Sequence, residues 1–384
     1  MRCKIKKYFW KKLSVSQKSP NRREGASNKF AHIFTFGDRH HIYDAYDYYL
    51  DNARQDVLIV NFLITHKELI ETIIKTRQLK KIPVRVMTWL DKTQHLYVEE
   101  DDIYQLFRSQ ARSCRELAMN DIPLRSNTKC HVKMMLVDSE TVIISSANLT
   151  DTSLFRNPEN GILLYQMEEE VKIIKHFAKT LWRNYANTEI ATLPPHVTSV
   201  FEDNEGEENL RVQSRPTNHD IDILKGICQE TDNFRFLFTC PYFNTLHLFV
   251  LDMIERANRE ILLLSYKMQN IKQIGLFKVL KDKINQGVNV RILVCKKDTK
   301  ILDLYGQLLD IGCEIEAIEY NHAKGIVIDQ KDVMIMTANI DNYIMPHKES
   351  INIGIFFKNK EYSEQAKEFV NFLFDNRTHK LVKN

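Results

Sequence analysis

The sequence predicts an α/β fold of two similar lobes. Each lobe is expected to be a mostly parallel mixed sheet flanked by helices, with a pseudo-two-fold axis relating the pair. Short apolar runs alternate with segments of helical periodicity, and the order of elements in residues 30–190 recurs in residues 220–384. This alternation is typical of strands joined by right-handed helical crossovers. A chain of 384 residues is long enough for two domains, each with its own core.

The first half opens with a predicted helix over residues 42–53, whose tyrosines and leucines share one face. Residues 57–64 form a continuous apolar run, as expected for a strand that is buried on both faces. The elements predicted next are a helix over 68–79, a strand over 84–89, a long helix over 103–119 and a short strand over 122–124. A helix with an apolar stripe over residues 168–185 ends the half.

The second half repeats this order. Its predicted elements are a helix over 248–258, a strand over 261–265, a helix over 276–286, a strand over 290–294, a helix over 301–309 and a strand over 314–317. Residues 51–59 resemble residues 255–263 at an offset of 204. Between the halves, Pro194, Pro195 and an acidic run interrupt regular structure, so we place a connector at residues 191–219.

A basic arm precedes the first lobe. Residues 1–29 carry ten Lys or Arg and one Glu, which leaves the rest of the chain acidic because the formal net charge is only +4. Ile5, Phe9 and Leu13 recur every four residues among lysines, a pattern typical of a short basic amphipathic helix, and an untethered flexible arm fits the composition equally. We therefore expect the arm to provide any contact with a polyanion or an anionic membrane surface.

Two stretches repeat one pattern of polar residues. The first copy contains His131, Lys133, Asp138, Asn148 and Glu159, and the second contains His322, Lys324, Asp329, Asn339 and Glu349. The spacings match from His to Lys, from Lys to Asp and from Asp to Asn, and the last spacing differs by one residue. Within each copy, His and Lys lie two apart on a predicted strand and share a face. The Asn follows a second strand, over 142–145 or 333–336, that we expect beside the first in a hairpin.

This set of side chains suits a phosphodiester. One histidine can attack phosphorus as a neutral nucleophile, and the other can protonate the leaving oxygen from the opposite side. Lys and Asn can stabilise the charge that grows on the non-bridging oxygens. Each Glu can accept a hydrogen bond from the far nitrogen of a histidine, but the sequence does not indicate which Glu serves which histidine. Because both lobes contribute, one chain suffices and no homodimer is required.

The paired His-x-Lys-x4-Asp motifs resemble the phospholipase D superfamily, as do Ser146-Ala147-Asn148, Thr337-Ala338-Asn339 and the two glutamates after them. The resemblance covers roughly residues 30–380 and implies a phospholipase D-like fold and a covalent phosphohistidine, without a metal or other cofactor. It implies His131 as nucleophile and His322 as general acid, with Asp138 and Asp329 as structural supports. Ser145 and Met336 stand where the family commonly has glycine.

The superfamily includes nucleases, phospholipases and phosphatidyltransferases, so the motifs alone do not select a substrate. Residues 146–150 and 157–160 are most similar to the small nuclease branch and its defence-associated relatives, which favours a hydrolase of DNA or RNA. Action on membrane phospholipids is the alternative, supported by the basic arm and by a set of aromatic residues: Trp89, Phe155, Tyr242 and Phe243. A non-catalytic binding protein is the third interpretation, disfavoured because both His-Lys pairs are intact.

Composition excludes several other classes. Seven cysteines without a Cys-x-x-Cys pair argue against a disulfide framework or a zinc cluster. No apolar run reaches the length of a membrane span, and the start of the chain lacks the features of a secretory signal. The expected location is cytoplasmic, with contact at a membrane surface as the variant that the arm would allow.

Overall fold

The chain forms two lobes, each built on one ten-stranded sheet. The computed structural model describes residues 8–13, 29–89, 101–127, 129–186, 188–190, 210–212, 230–240, 243–297, 302–341 and 350–383. The first lobe contains Asn28–Phe155 and Gly161–Gln229, and the second contains Arg156–Asn160, Glu230–Asn384 and the first strand of the chain, β1 (Tyr8–Lys12). An α/β fold with two mixed sheets and flanking helices is thereby confirmed.

The first lobe follows the predicted alternation. Its strands are β2 (Phe30–Phe36), β3 (Arg39–His40), β4 (Val57–Val60), β5 (Val84–Thr88), β6 (Leu124–Ser126), β7 (Met134–Val137), β8 (Thr141–Ser145), β9 (Glu159–Tyr165), β10 (Thr188–Ile190) and β11 (Leu210–Val212). Its helices are α1 (His41–Asn52), α2 (Lys67–Lys80), α3 (Asp101–Met119), α4 (Asp151–Phe155) and α5 (Glu168–Asn184). The strand order is β11-β10-β6-β5-β4-β7-β8-β9-β2-β3.

The second lobe repeats this topology. Its further strands are β12 (Phe234–Cys240), β13 (Phe243–Asn244), β14 (Glu260–Leu264), β15 (Asn289–Cys295), β16 (Glu314–Ile318), β17 (Gly325–Ile328), β18 (Asp332–Met336), β19 (Asn352–Phe357) and β20 (His379–Lys383). Its helices are α6 (Thr245–Glu255), α7 (Leu276–Asn285), α8 (Leu302–Asp310) and α9 (Lys360–Asp375). The order β1-β20-β16-β15-β14-β17-β18-β19-β12-β13 matches the first lobe from β20 to β13, and the edge position of β11 is taken by β1, from the start of the chain.

Among the strand pairs with a described register, parallel pairing is limited to β4-β5-β6 and β14-β15-β16, and the others are antiparallel. The expectation of mostly parallel sheets is therefore wrong, although the sheets are mixed. The physical reason lies in the connections: helices join the parallel strands, whereas short turns join β7 to β8 and β17 to β18 and so reverse the chain. All residues of β4, β7 and β17 are buried, as predicted for strands covered on both faces.

The basic arm enters the sheet of the second lobe. Its residues Tyr8–Lys12 form β1, which pairs antiparallel with β20, so the helix predicted there is wrong. The Tyr8 hydroxyl donates to Asp310 Oδ2 at 2.5 Å, and its ring lies against Gly306 of α8, where a Cβ would meet the ring at 2.1 Å. Ile5, part of the predicted helix, lies outside the described residues.

Most of the predicted connector, residues 191–219, also lies outside the described residues. Its described part, Leu210–Val212, forms the edge strand β11 in place of the irregular structure that was expected. Within the described ranges, no helix combines the length and apolar character needed to cross a bilayer.

Candidate active site

The motif histidines, lysines and asparagines gather at one end of a hairpin in each lobe. Strand β7 pairs with β8, and β17 pairs with β18, which confirms the predicted hairpins. Ser145 N donates to Lys133 O at 3.0 Å, and Met336 N donates to Lys324 O at 3.4 Å. In an antiparallel pair, the residue numbers of two opposite residues always add up to the same value. Extending each hairpin pairing on this basis places the His of each motif opposite the residue before the motif Asn.

The motif aspartates lie at the other end of the same hairpins. Asp138 accepts backbone N–H bonds from residues 54, 55 and 56 at 2.7 to 3.2 Å, and Asp329 accepts them from residues 258, 259 and 260 at 2.7 to 2.9 Å. Burial acts to raise the pKa of Asp329, but these backbone donors outweigh it and hold the pKa below its ordinary value. Seven residues of extended chain, roughly 20 Å, separate each Asp from its His. The aspartates therefore anchor hairpin turns.

Both aspartates also have a left-handed backbone, with φ of 55° at Asp138 and 53° at Asp329. Asp tolerates this conformation better than most residues because its short side chain can bond nearby backbone groups. The same residue thus forms the turn and ties it to the start of the neighbouring strand, β4 or β14.

In the second lobe, a buried carboxylate orients the motif histidine. Glu159 Oε1 lies 2.7 Å from His322 Nδ1; the Glu side chain is 0% exposed and the imidazole 16% exposed. His322 N also donates to Pro158 O at 3.0 Å. The Tyr266 ring packs edge-on against the imidazole, with the ring centroids 5.4 Å apart. The glutamate that follows the first motif in the chain therefore serves the histidine of the second motif.

Lys324 is held by its backbone and buried. Asn160 Oδ1 accepts from Lys324 N at 3.0 Å, and Asn160 Nδ2 donates to Lys324 O at 3.1 Å. The side-chain amide of Asn160 thus bonds both the N–H and the C=O of Lys324, as the backbone of a neighbouring strand would. The Lys324 ammonium donates to His322 O at 2.5 Å. Burial lowers the pKa of Lys324 to about 8, and the carboxylates of Glu159 and Asp341 oppose this shift.

The first lobe has a comparable arrangement around its motif lysine. The Lys133 ammonium donates to His131 O at 2.8 Å, and Lys133 is 0% exposed. Phe62 borders both residues, with its ring 5.2 Å from the imidazole and 5.5 Å from the ammonium nitrogen. An ammonium bonded to the backbone of the adjacent histidine is thus common to both lobes.

The motif asparagines present amide oxygens that are buried and lack a hydrogen-bond partner within the described residues: Asn148 Oδ1 and Asn339 Oδ1. Buried polar atoms in native proteins are nearly always bonded. Within the described residues, the same amide oxygen is thus left without a partner in both copies of the motif.

A family model described as "Cardiolipin synthase, PLD-like domain" matches residues 47–183 and 250–373, more than half of the chain. The chain belongs to the phospholipase D superfamily. Members of this superfamily process phosphodiesters. Among curated proteins, none matches this sequence.

Solved structures share the phospholipase D-like fold at low sequence identity. The crystal structure of phosphatidylserine synthase from Haemophilus influenzae matches with a TM-score of 0.62 and 12% identity, covering 91% of this chain and 87% of that one. Polyphosphate kinase from Porphyromonas gingivalis matches with a TM-score of 0.51 and 10% identity, covering 85% of this chain and 47% of that one. The phospholipase D family member Nuc from Salmonella typhimurium covers 40% of this chain and 95% of its own, with 16% identity and a TM-score of 0.34. At these identities the likeness to the first two structures shows the fold alone.

The two departures from the phospholipase D motif are matched by glycines on the next strand. Ser145 faces Gly161 and Met336 faces Gly354 in the strand registers. A Cβ at Gly161 would meet Ile144 O at 2.5 Å, so the side chain is missing from the facing strand at the point where space is short. In both lobes the glycine therefore lies on the neighbouring strand, opposite the motif position where the family commonly has one.

Several predicted residues do not join the half-sites. Glu349, Tyr242 and the side chain of Phe243 lie outside the described residues. Phe155 packs against His40 and Tyr43. In the part of the chain that the structure describes, no group of three His, Cys, Asp or Glu residues is placed to hold a metal ion.

Sequence reasoning missed three positioning residues. Asn160 lies within residues 157–160, whose similarity to the nuclease branch did not indicate a role for this side chain. Asn61 donates to Ala147 O at 3.3 Å, and Ser265 Oγ accepts from Ile340 N at 3.0 Å, so each fixes the loop that carries a motif Asn. These last two follow β4 and β14 and are separated by 204 residues, the offset already seen in the sequence repeat. Extending that repeat by two residues would have found them.

Proposed function

We propose that this chain is a nuclease that cleaves phosphodiester bonds through a covalent phosphohistidine, with His131 as nucleophile and His322 as general acid. The observation that carries the proposal is the buried Glu159 carboxylate bonded to His322 Nδ1. A carboxylate in this position stabilises a positively charged imidazolium and leaves Nε2 to deliver a proton. A group that must hold a proton before the reaction is suited to protonate a leaving oxygen.

The first chemical step forms a bond from a ring nitrogen of His131 to phosphorus and breaks the bond from phosphorus to the leaving oxygen, which takes the proton of His322. In the second step water attacks the phosphohistidine, His322 accepts the proton of that water, and the phosphate monoester departs from His131. By the repeat, we propose Glu349 as the counterpart of Glu159 in the second copy of the motif.

Lys133, Lys324, Asn148 and Asn339 are proposed to bind the non-bridging oxygens. Two ammonium groups and two amides can stabilise the negative charge that builds up on these oxygens in the transition state. The NH2 group of each Asn amide is the part that can donate to the substrate. Asp138 and Asp329 are proposed to support the hairpins and to take no direct part.

Phosphatidyl transfer is the second candidate. It is supported by the family model, whose description names cardiolipin synthase, and by the similar fold of phosphatidylserine synthase. The nuclease is preferred because residues 146–150 and 157–160 are most similar to the nuclease branch, and Asn160 of that segment positions Lys324.

The test uses the p-nitrophenyl ester of a thymidine phosphate, whose leaving group departs without protonation. In the presence of excess chelator, we expect H322N to release one nitrophenolate per chain and then stop, because the phosphohistidine forms but is not hydrolysed. H131N should release none. A burst in H131N alone would reverse the assignment, and a strict requirement for a divalent metal would refute the phosphohistidine.

The substrate is tested separately with labelled single-stranded DNA, duplex DNA, RNA and phosphatidylglycerol vesicles. Cleavage of a nucleic acid is expected. Turnover of the lipid alone would replace the nuclease with the second candidate.

A further inference from the structure

The outer face of α5 carries a row of basic residues. Lys172, Lys175, Lys179 and Arg183 follow each other at intervals of three, four and four residues, and so lie on one side of the helix. All but the half-buried Lys175 are exposed. The row is about 16 Å long at 1.5 Å per residue. From Val171 to its last residue, α5 contains no acidic side chain.

A further cation lies beside this row. Arg85 of β5 and the two lysines at 175 and 179 line a shallow cleft together with Asp56, the one carboxylate there. Partial burial of the Lys179 ammonium, followed by repulsion from Lys175, lowers its pKa below the ordinary value, and Asp56 opposes this effect. The cations therefore outnumber the acidic groups at this place.

The repeat provides an internal comparison. Helix α9 follows β19 as α5 follows β9, and both pack an apolar stripe on the sheet of their lobe. Over its whole length α5 carries four basic residues against three glutamates, all in its first turn, whereas α9 carries two lysines against three glutamates and one aspartate. Packing in this fold therefore does not require a basic row, and the row on α5 calls for another explanation.

The end of the row adjoins the loop that leads to His131. Asn127 Nδ2 donates to Tyr185 O just after α5, and Arg125 donates to Trp182 O while its guanidinium lies 4.7 Å from the centroid of that ring. Asn127 Oδ1 in turn accepts from Lys129 N at 2.7 Å. These bonds fix the last turn of α5 to the segment four residues before the proposed nucleophile.

We propose that this row binds the phosphate backbone of a nucleic acid and guides it toward His131. The proposal rests on the proposed nuclease function and deepens it, because it assigns a binding surface to that substrate class. Evenly spaced cations along a helix suit a polyanion, whose affinity comes chiefly from counterion release. A membrane surface fits less well because interfacial helices bury apolar side chains. None of the large exposed apolar residues of the described chain, which are Tyr48, Leu79, Met119, Leu248 and Tyr320, belongs to α5.

The test compares two triple variants in an H131N background, which prevents cleavage. K172Q/K179Q/R183Q removes three charges from the row. K67Q/K278Q/K281Q removes three exposed charges from α2 and α7 and is the matched control. Binding of a fluorescent single-stranded DNA oligomer is followed by anisotropy between 50 and 200 mM salt (about the range over which salt effects are large). Thermal melts confirm that both variants fold.

For the row variant we expect affinity to fall by about tenfold or more, and the slope of log K against log salt to become shallower by about 2, since each phosphate contact contributes roughly 0.7. The control should change by less than about twofold. Equal losses in both variants, or an unchanged slope, would overturn the proposal. Weaker binding to phosphatidylglycerol vesicles with unchanged DNA binding would assign the row to a membrane.

These outcomes are separate from those for the nuclease itself. Binding is measured without turnover, so a protein that binds DNA through the row but cleaves no phosphodiester would contradict only the proposed function. An active nuclease whose DNA affinity ignores the row would contradict only the present proposal.

Discussion

Replacing Glu159 with Gln isolates the charge of one buried group. The carboxylate is 0% exposed and its bond to His322 is 2.7 Å long, so solvent does not screen it. A hydrogen bond to a charged group contributes about 1.5 to 3 kcal/mol, and the Gln oxygen retains a neutral bond of about 0.5 to 1.5 kcal/mol. The difference of about 1 to 2 kcal/mol corresponds to a rate loss of about 5- to 30-fold.

The assay separates acid catalysis from general damage. Single-turnover cleavage of an oligonucleotide, whose leaving group needs a proton, should slow by that factor in E159Q. The burst of nitrophenolate from the activated ester should change by less than about threefold, because that leaving group needs no proton. E159A should be slower than E159Q, since it also leaves Nδ1 of His322 without an acceptor.

A second buried carboxylate serves as the control. Glu316 is 1% exposed and pairs with Arg291 at 2.9 Å and with Arg377. E316Q should lower the melting temperature, because it weakens a buried ion pair, and should leave both rates unchanged. The reasoning is refuted if E159Q slows the two substrates equally, or if E316Q reproduces its effect.

Two other predictions concern groups that the structure shifts or anchors. The pKa of Lys324 is lowered to about 8 and only its charged form can stabilise the substrate's negative charge, so kcat should fall above about pH 8. In K324R, whose guanidinium stays charged, this fall in kcat should move to higher pH. A fall at the same pH in K324R would show that another group titrates. D329A should destabilise the second lobe by about 2 kcal/mol, as the loss of a helix cap does, with faster amide exchange at residues 258–260 and a smaller loss in D329N. The pKa of Asp329 is lower in the folded than in the unfolded protein, so its contribution to stability is present above the unfolded pKa near 3.9 and is lost as the pH falls through the folded pKa. The stability difference between D329A and the unaltered protein should therefore become smaller in acid. A difference that does not change with pH would contradict this.

The sequence predicts the repeated core because local signals agree there. Apolar runs such as residues 57–60 and 261–264 favour strands buried on both faces, and the helices between them show clear periodicity. The hairpins of the two motifs follow from the same reasoning. The relative direction of the strands could not be predicted in the same way, because an apolar run does not indicate whether the neighbouring strand is parallel or antiparallel to it.

Other features could not be predicted from the local sequence, because they form only with partners that are distant along the chain. Ile5, Phe9 and Leu13 have a helical spacing, but the edge of β20 offers residues 8–12 backbone bonds that a short isolated helix cannot match. Pairing with a strand more than 360 residues away leaves no mark in a local window. The bond between Glu159 and His322 was inaccessible for the same reason: the sequence gives two glutamates and two histidines, and only the fold selects the partners.

The second lobe is discontinuous in sequence, because β1, Arg156–Asn160 and residues from Glu230 onward all belong to it. The unit that is repeated in the sequence is therefore not the unit that folds. A fragment that starts after the connector would carry His322 and Lys324 without the carboxylate and the amide that hold them. During synthesis, residues 8–12 must also wait for β20, almost the whole chain later, before they find their place in a sheet. Cutting the chain after Gln229 would therefore leave the first lobe with all its residues and deprive the second lobe of two segments that belong to it.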